Sequence, residues 1–208
     1  GRAIVPGETA PLVLSQHEDE FVIRIGPHAL MSSRTHGTEE MLAELACARI
    51  ADRAAARILV GGLGMGFTLA AALRHLPPSA RVAVAELVPV LIEWNRGPLA
   101  HLAGRPLDDP RVSIHEADVA DMIREQHGAF DAVLLDVDNG PNGLTRKSND
   151  WLYSHAGLRA AHEALRERGV LGIWSVAPDQ SFTRRLGEAG FEAEEHVARA
   201  RGAKGGRH

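Results

Sequence analysis

At 208 residues with 45% hydrophobic content, the chain can bury one substantial core without metals, and its single cysteine, Cys47, cannot staple a fold. A formal net charge of −4 and a pI of about 6.3 give no general attraction to nucleic acid or to anionic membranes. No apolar run approaches the roughly 18 residues that span a bilayer, and the first residues carry no basic-then-apolar leader, so a cytoplasmic protein is expected.

Residues 1–54 form a first unit. Leu12–Leu14, Phe21–Ile25 and Ala29–Ser32 are short β-type runs separated by Gly26-Pro27 and polar residues, which predicts a small hairpin lead-in. A helix follows over Gly37–Ile50, with Glu39 and Glu40 near its positive end and Cys47 on an apolar face, where a buried structural thiol is expected.

Over residues 55–198, β-branched runs alternate with amphipathic ones. Strands are predicted at Arg57–Gly61, Arg81–Glu86, Arg111–His115, Phe130–Asp136, Val170–Ser175 and Phe191–Val197. Helices are predicted at Met65–Leu76, Val88–Asn95, Val119–Gln126, Trp151–Arg168 and Ser181–Ala189, with Pro77-Pro78, Gly97-Pro98 and Asp109-Pro110 breaking the connections. Alternation of this kind implies an α/β fold, Rossmann-like, with a mainly parallel sheet and helices on both faces. Residues 199–208 form a basic, apolar-poor tail, expected to be a solvated end and not a nucleic-acid site.

The strand Ile58-Leu59-Val60 runs into Gly61-Gly62-Leu63-Gly64-Met65-Gly66 and then into the helical run from Phe67. Glycines at such a junction let the backbone turn tightly and approach a ligand, while the helix start offers free N–H groups. Glu86, about 20 residues on at the end of the second strand, stands where a carboxylate can accept both hydroxyls of a ribose. Asp118, after the third strand, suits either an adenine amino group or the cap of the following helix. A dinucleotide fingerprint counted from Gly62 would require glycine where Phe67 stands, which favours a mononucleoside over NAD.

The fourth strand ends in Asp136-Val137-Asp138-Asn139-Gly140-Pro141, at the edge where open α/β sheets hold ligands. Asp136 is the expected catalytic group, orienting or deprotonating a nucleophile. Asp138 and Asn139 are either substrate-binding or turn-forming, and Tyr153 is a substrate-binding candidate with a core position as its alternative. Residues 143–150 lack apolar periodicity and suit a substrate-covering loop. His155 and His162 have no carboxylate or cysteine at metal-ligand spacing, so no metal is expected.

The glycine loop, Glu86, Asp118 and the Asp136 segment, followed by Leu152-Tyr153-Ser154 and a helix ending near Gly169-Val170-Leu171, resemble the spermidine synthase-like branch of the class I methyltransferase fold. The resemblance covers roughly residues 55 to 190. It implies that Gly62, Gly64, Glu86 and Asp118 hold the nucleoside of S-adenosylmethionine or its decarboxylated form, and that Asp136 serves an attacking amine. Members of that branch carry an aspartate where this loop has Gly64, a Tyr-His pair where this chain reads Glu39-Glu40-Met41, and a tyrosine- and proline-rich segment where it reads Val176-Ala177-Pro178-Asp179. The expectation is therefore alkyl transfer to a small-molecule acceptor, with methyl transfer first and aminopropyl transfer from the decarboxylated donor second. A non-catalytic nucleoside-binding scaffold is the rival from another class, and a homodimer through an apolar helix stripe stays open.

Overall fold

The computed structural model describes residues 1–4, 10–137 and 150–197. The first sheet is antiparallel, with the order β1 (Arg2–Ala3), β2 (Leu12–His17), β3 (Glu20–Ile25) and β4 (His28–Ser32). Alternation turns Leu12, Leu14, Phe21 and Ile23 inward, where they cluster with Met65, Phe67, Leu91, Trp94 and Leu99. The lead-in is thus a four-stranded sheet docked on the glycine loop and the helix beyond it, one strand larger than expected.

The second sheet is parallel, in the order β7-β6-β5-β8-β9, from β5 (Arg57–Gly61), β6 (Arg81–Ala85), β7 (Val112–His115), β8 (Phe130–Leu135) and β9 (Leu165–Ile173). Its crossovers are α2 (Phe67–His75), α3 (Pro89–Arg96), α4 (Val119–Arg124) and α5 (His155–Ala164). The α1 helix (Gly37–Arg49) precedes the sheet and α6 (Gln180–Glu188) follows it. Small residues on α1, Ala43 and Ala46, together with Ala71 and Ala72 on α2, share one core cluster with Ile58, Val60 and Val82. Cys47 lies in that cluster, and burial pushes its thiol up to about 11, as suits a structural residue. Among the described residues no helix is long and apolar enough to cross a membrane.

Three predicted elements are corrected. The helix expected over Trp151–Arg168 is only His155–Ala164: Ser154 caps it by accepting from the Gly157 N–H at 3.1 Å, and Leu165 turns extended at ψ 146°. The strand expected from Val170 begins at Leu165, which pairs with Phe130. The cause is nonlocal, because Arg166 donates to the buried Asp131 carboxylate at 3.0 Å and draws the chain into the sheet.

Phe191–Val197, expected as a sixth strand, has no ladder partner among the described residues. Its acids bond to side chains instead, with Arg49 donating to Glu194 at 2.5 Å and Thr183 to Glu195 at 2.8 Å. The tail at 199–208 lies outside the described residues.

Candidate active site

Register brings the site together. Gly61 of β5 is level with Ala85 of β6 and Leu135 of β8, so the next residues along each strand, Gly62, Glu86 and Asp136, emerge side by side at the carboxyl edge. Backbone bonds continue the ladder there, with the Gly62 N–H donating to the Ala85 carbonyl and the Asp136 N–H to the Gly61 carbonyl, both at 2.9 Å.

Gly62 is fixed by sterics. Its φ is +87°, and a Cβ would lie 2.4 Å from the Asp136 carbonyl oxygen. Gly64, at φ +53°, also lines the crevice, beneath Met31. Gly61 and Gly66 are not among the residues that line it: a Cβ on Gly61 would strike Val119 at 2.8 Å, and one on Gly66 would crowd Asn95 at 3.1 Å. Those two glycines answer packing demands. Gly62→Ala is expected to lower unfolding free energy by about 2 kcal/mol or more in urea denaturation, since it adds left-handed strain to a clash with immobile backbone. A loss below about 0.5 kcal/mol would show that β5 and β8 can part at no cost.

Glu86 is buried at 5% exposure and lines the crevice. Its Oε2 accepts from the Leu63 N–H at 2.9 Å and its Oε1 from the Val88 N–H at 2.7 Å, so the carboxylate is fixed between the glycine loop and the start of α3. Asp118 caps α4, accepting from the Ala120 N–H at 2.8 Å, and lines the crevice as well.

Asp136 lines the crevice beyond the glycine loop, partly buried. Burial pushes its carboxyl up to about 6, against the pull of the Thr68 hydroxyl, which donates to Oδ2 at 2.6 Å; the Glu39 carboxylate adds a further upward push. Thr68 was not singled out from sequence, although a buried hydroxyl in the otherwise apolar run Phe67–Leu73 is the signal that marks it. Asn95, buried on α3, was also missed; its Nδ2 donates to the Gly64 carbonyl at 2.8 Å and pins the loop.

Tyr153 is not brought to the crevice. It is buried at 3% exposure, edge-on to Phe182 with ring centroids 5.8 Å apart, so the core alternative holds. Asp138, Asn139 and the loop at 143–149 lie outside the described residues. Part of the remaining wall of the crevice comes from the first sheet, through Leu12, Ile23, Ile25, Leu30 and Met31, a contribution that sequence reasoning did not foresee.

The chain is 28% identical over 121 residues to polyamine aminopropyltransferases from Thermoanaerobacter sp. and Thermoanaerobacter pseudethanolicus. That match takes in 58% of this chain but only 41% of the relatives' length. In fold it is similar to spermidine synthase from Thermotoga maritima, at a TM-score of 0.74, 21% identity and coverage of 96% of this chain and 68% of that one. A spermidine synthase in complex with the transition-state analogue AdoDATO gives a TM-score of 0.73 at 21% identity, covering 96% and 67%. The spermine/spermidine synthase domain matches residues 35–181, from the start of α1 through the parallel sheet and every crevice residue described on it, and the chain belongs to that family.

Proposed function

We propose that this chain transfers an aminopropyl group from decarboxylated S-adenosylmethionine to a small amine acceptor. The observation that carries the proposal is Asp136, a carboxyl raised to about 6 at the end of β8, in one crevice with Glu86 and the glycine loop. Sequence reasoning placed methyl transfer first; the named relatives are aminopropyltransferases, and the order is reversed on that account.

In the proposed step the acceptor nitrogen's lone pair forms a bond to the propyl carbon next to sulfur. The carbon–sulfur bond breaks with its electron pair on sulfur, leaving a neutral thioether, and the new ammonium yields its proton to Asp136. Glu86 accepts from the ribose hydroxyls and fixes the nucleoside, the Gly62–Gly64 backbone lets sulfur approach the sheet edge, and Thr68 holds the Asp136 carboxyl in one orientation. Displacement at a sulfonium carbon depends chiefly on alignment and dehydration, so a single proton-accepting side chain suffices.

The test is a turnover assay comparing S-adenosylmethionine with its decarboxylated form across diamines and monoamines. Turnover with the decarboxylated donor is expected. Turnover with S-adenosylmethionine alone would restore methyl transfer, and binding without turnover in every combination would leave a nucleoside-binding scaffold.

A further inference from the structure

The glycine loop and α3 close on each other in a ring of hydrogen bonds. On one side Glu86 takes the Leu63 N–H on Oε2 and the Val88 N–H on Oε1, which ties the loop to the start of α3. On the other side Asn95, about two turns further along α3, donates through Nδ2 to the Gly64 carbonyl and to the Leu91 carbonyl, each at 2.8 Å. Leu63 and Gly64 are consecutive, so the loop is gripped on both sides of one peptide link. Asn95 is buried and is not among the residues that line the crevice, whereas Gly64 and Glu86 are. Gly66 makes room for the amide: at φ +85°, a Cβ there would lie 3.1 Å from Asn95 Oδ1.

Resting on the proposed nucleoside site, we infer that Asn95 is a positioning residue for nucleoside binding: it fixes Gly64 against α3 and so sets the glycine loop at the right distance from the carboxylate that takes the ribose. Both Nδ2 hydrogens go to carbonyls, so the side chain has one orientation and acts on a ligand only through the loop. Without Asn95 the Gly64 carbonyl loses its partner, and the loop shifts to recover one from water. That shift carries the Leu63 N–H away from Glu86, which stays at the end of β6. The loss falls on ribose recognition. Asp136 is spared, because the Gly61 carbonyl holds its N–H and Thr68 holds its carboxyl.

Titration calorimetry of the full chain with methylthioadenosine, and with its analogue lacking the 2′ and 3′ hydroxyls, tests this on the wild type, Asn95→Ala and Asn95→Ser. A serine hydroxyl can return the bond to the Leu91 carbonyl one turn back but falls short of Gly64, so it separates the service to α3 from the service to the loop. Both variants, shown by thermal melts to be folded at the titration temperature, are expected to bind methylthioadenosine about tenfold more weakly and to lose most of the preference for the hydroxylated ligand. Wild-type affinity in Asn95→Ser overturns the inference and assigns Asn95 to α3 alone, and an equal loss for both ligands overturns it too. Should neither variant fold, the wild type decides: the Asn95 Nδ2–H signals in nitrogen-15 NMR should move when methylthioadenosine is added, and fixed signals overturn the inference. Failure of the wild type to bind methylthioadenosine, or to prefer it over the analogue, would sink the nucleoside site itself, and this inference with it.

Discussion

Asp136→Asn is expected to lower turnover by about 10²- to 10⁴-fold while nucleoside affinity stays within about threefold. The amide keeps the shape and can still accept from Thr68, but it cannot take the proton that the new ammonium must lose. In the proposed site Glu86 and the glycine loop hold the nucleoside without it, which separates the two readouts. Calorimetry with methylthioadenosine beside a turnover assay checks both; equal losses in the two would remove Asp136 from the proton step.

The same carboxyl sets a pH dependence. Its unfolded value is about 3.8 and its folded value about 6, so the wild-type rate should rise as pH passes through about 6 and the basic form accumulates. Stability runs the other way. A raised folded value means that the native state binds the proton more tightly, so the contribution is fully present below about 3.8 and is lost as pH rises through about 6. At pH 8 the charged, desolvated group costs on the order of 2 to 3 kcal/mol. Asp136→Asn should therefore be more stable than the wild type at pH 8, with the gain shrinking toward nothing near pH 3.5. Thermal melts across that range decide it, and a variant less stable at pH 8 would mean that the carboxylate is well solvated in the folded protein.

Much of this site was legible because its determinants are local. A β-branched run ending in glycines predicts a strand and a tight turn, and an acid ending the next run predicts a carboxylate at the same edge, since parallel register aligns strand ends. Asp118 could be read as both cap and crevice residue for the same reason. Elements set by distant partners were less legible. Phe191-Glu192-Ala193-Glu194 alternates as a strand does, yet Arg49 captures Glu194 from α1 and no ladder forms among the described residues. Leu165 reads as helix until Arg166 finds Asp131 across the sheet. The apolar wall of the crevice depends on how the first sheet docks, which no spacing within Leu12–Ser32 encodes.

Glu86→Ala is expected to weaken methylthioadenosine binding by about 100-fold or more. Two contributions act together. In the proposed site the ribose loses a charged acceptor for its hydroxyls, and the Leu63 and Val88 N–H groups lose the partners that hold the loop and the start of α3 in place. Glu86→Gln separates them in part, because its carbonyl oxygen can satisfy one N–H while its amide opposes the other and the charge is gone. A ligand without the 2′ and 3′ hydroxyls distinguishes contact from positioning. If Glu86 touches the ribose, the wild type should favour the hydroxylated ligand by at least about tenfold, and Glu86→Ala should bind both alike. If the carboxylate only braces the loop, both ligands should weaken in parallel and the ratio should survive the substitution. Survival of the ratio would move the ribose off the end of β6.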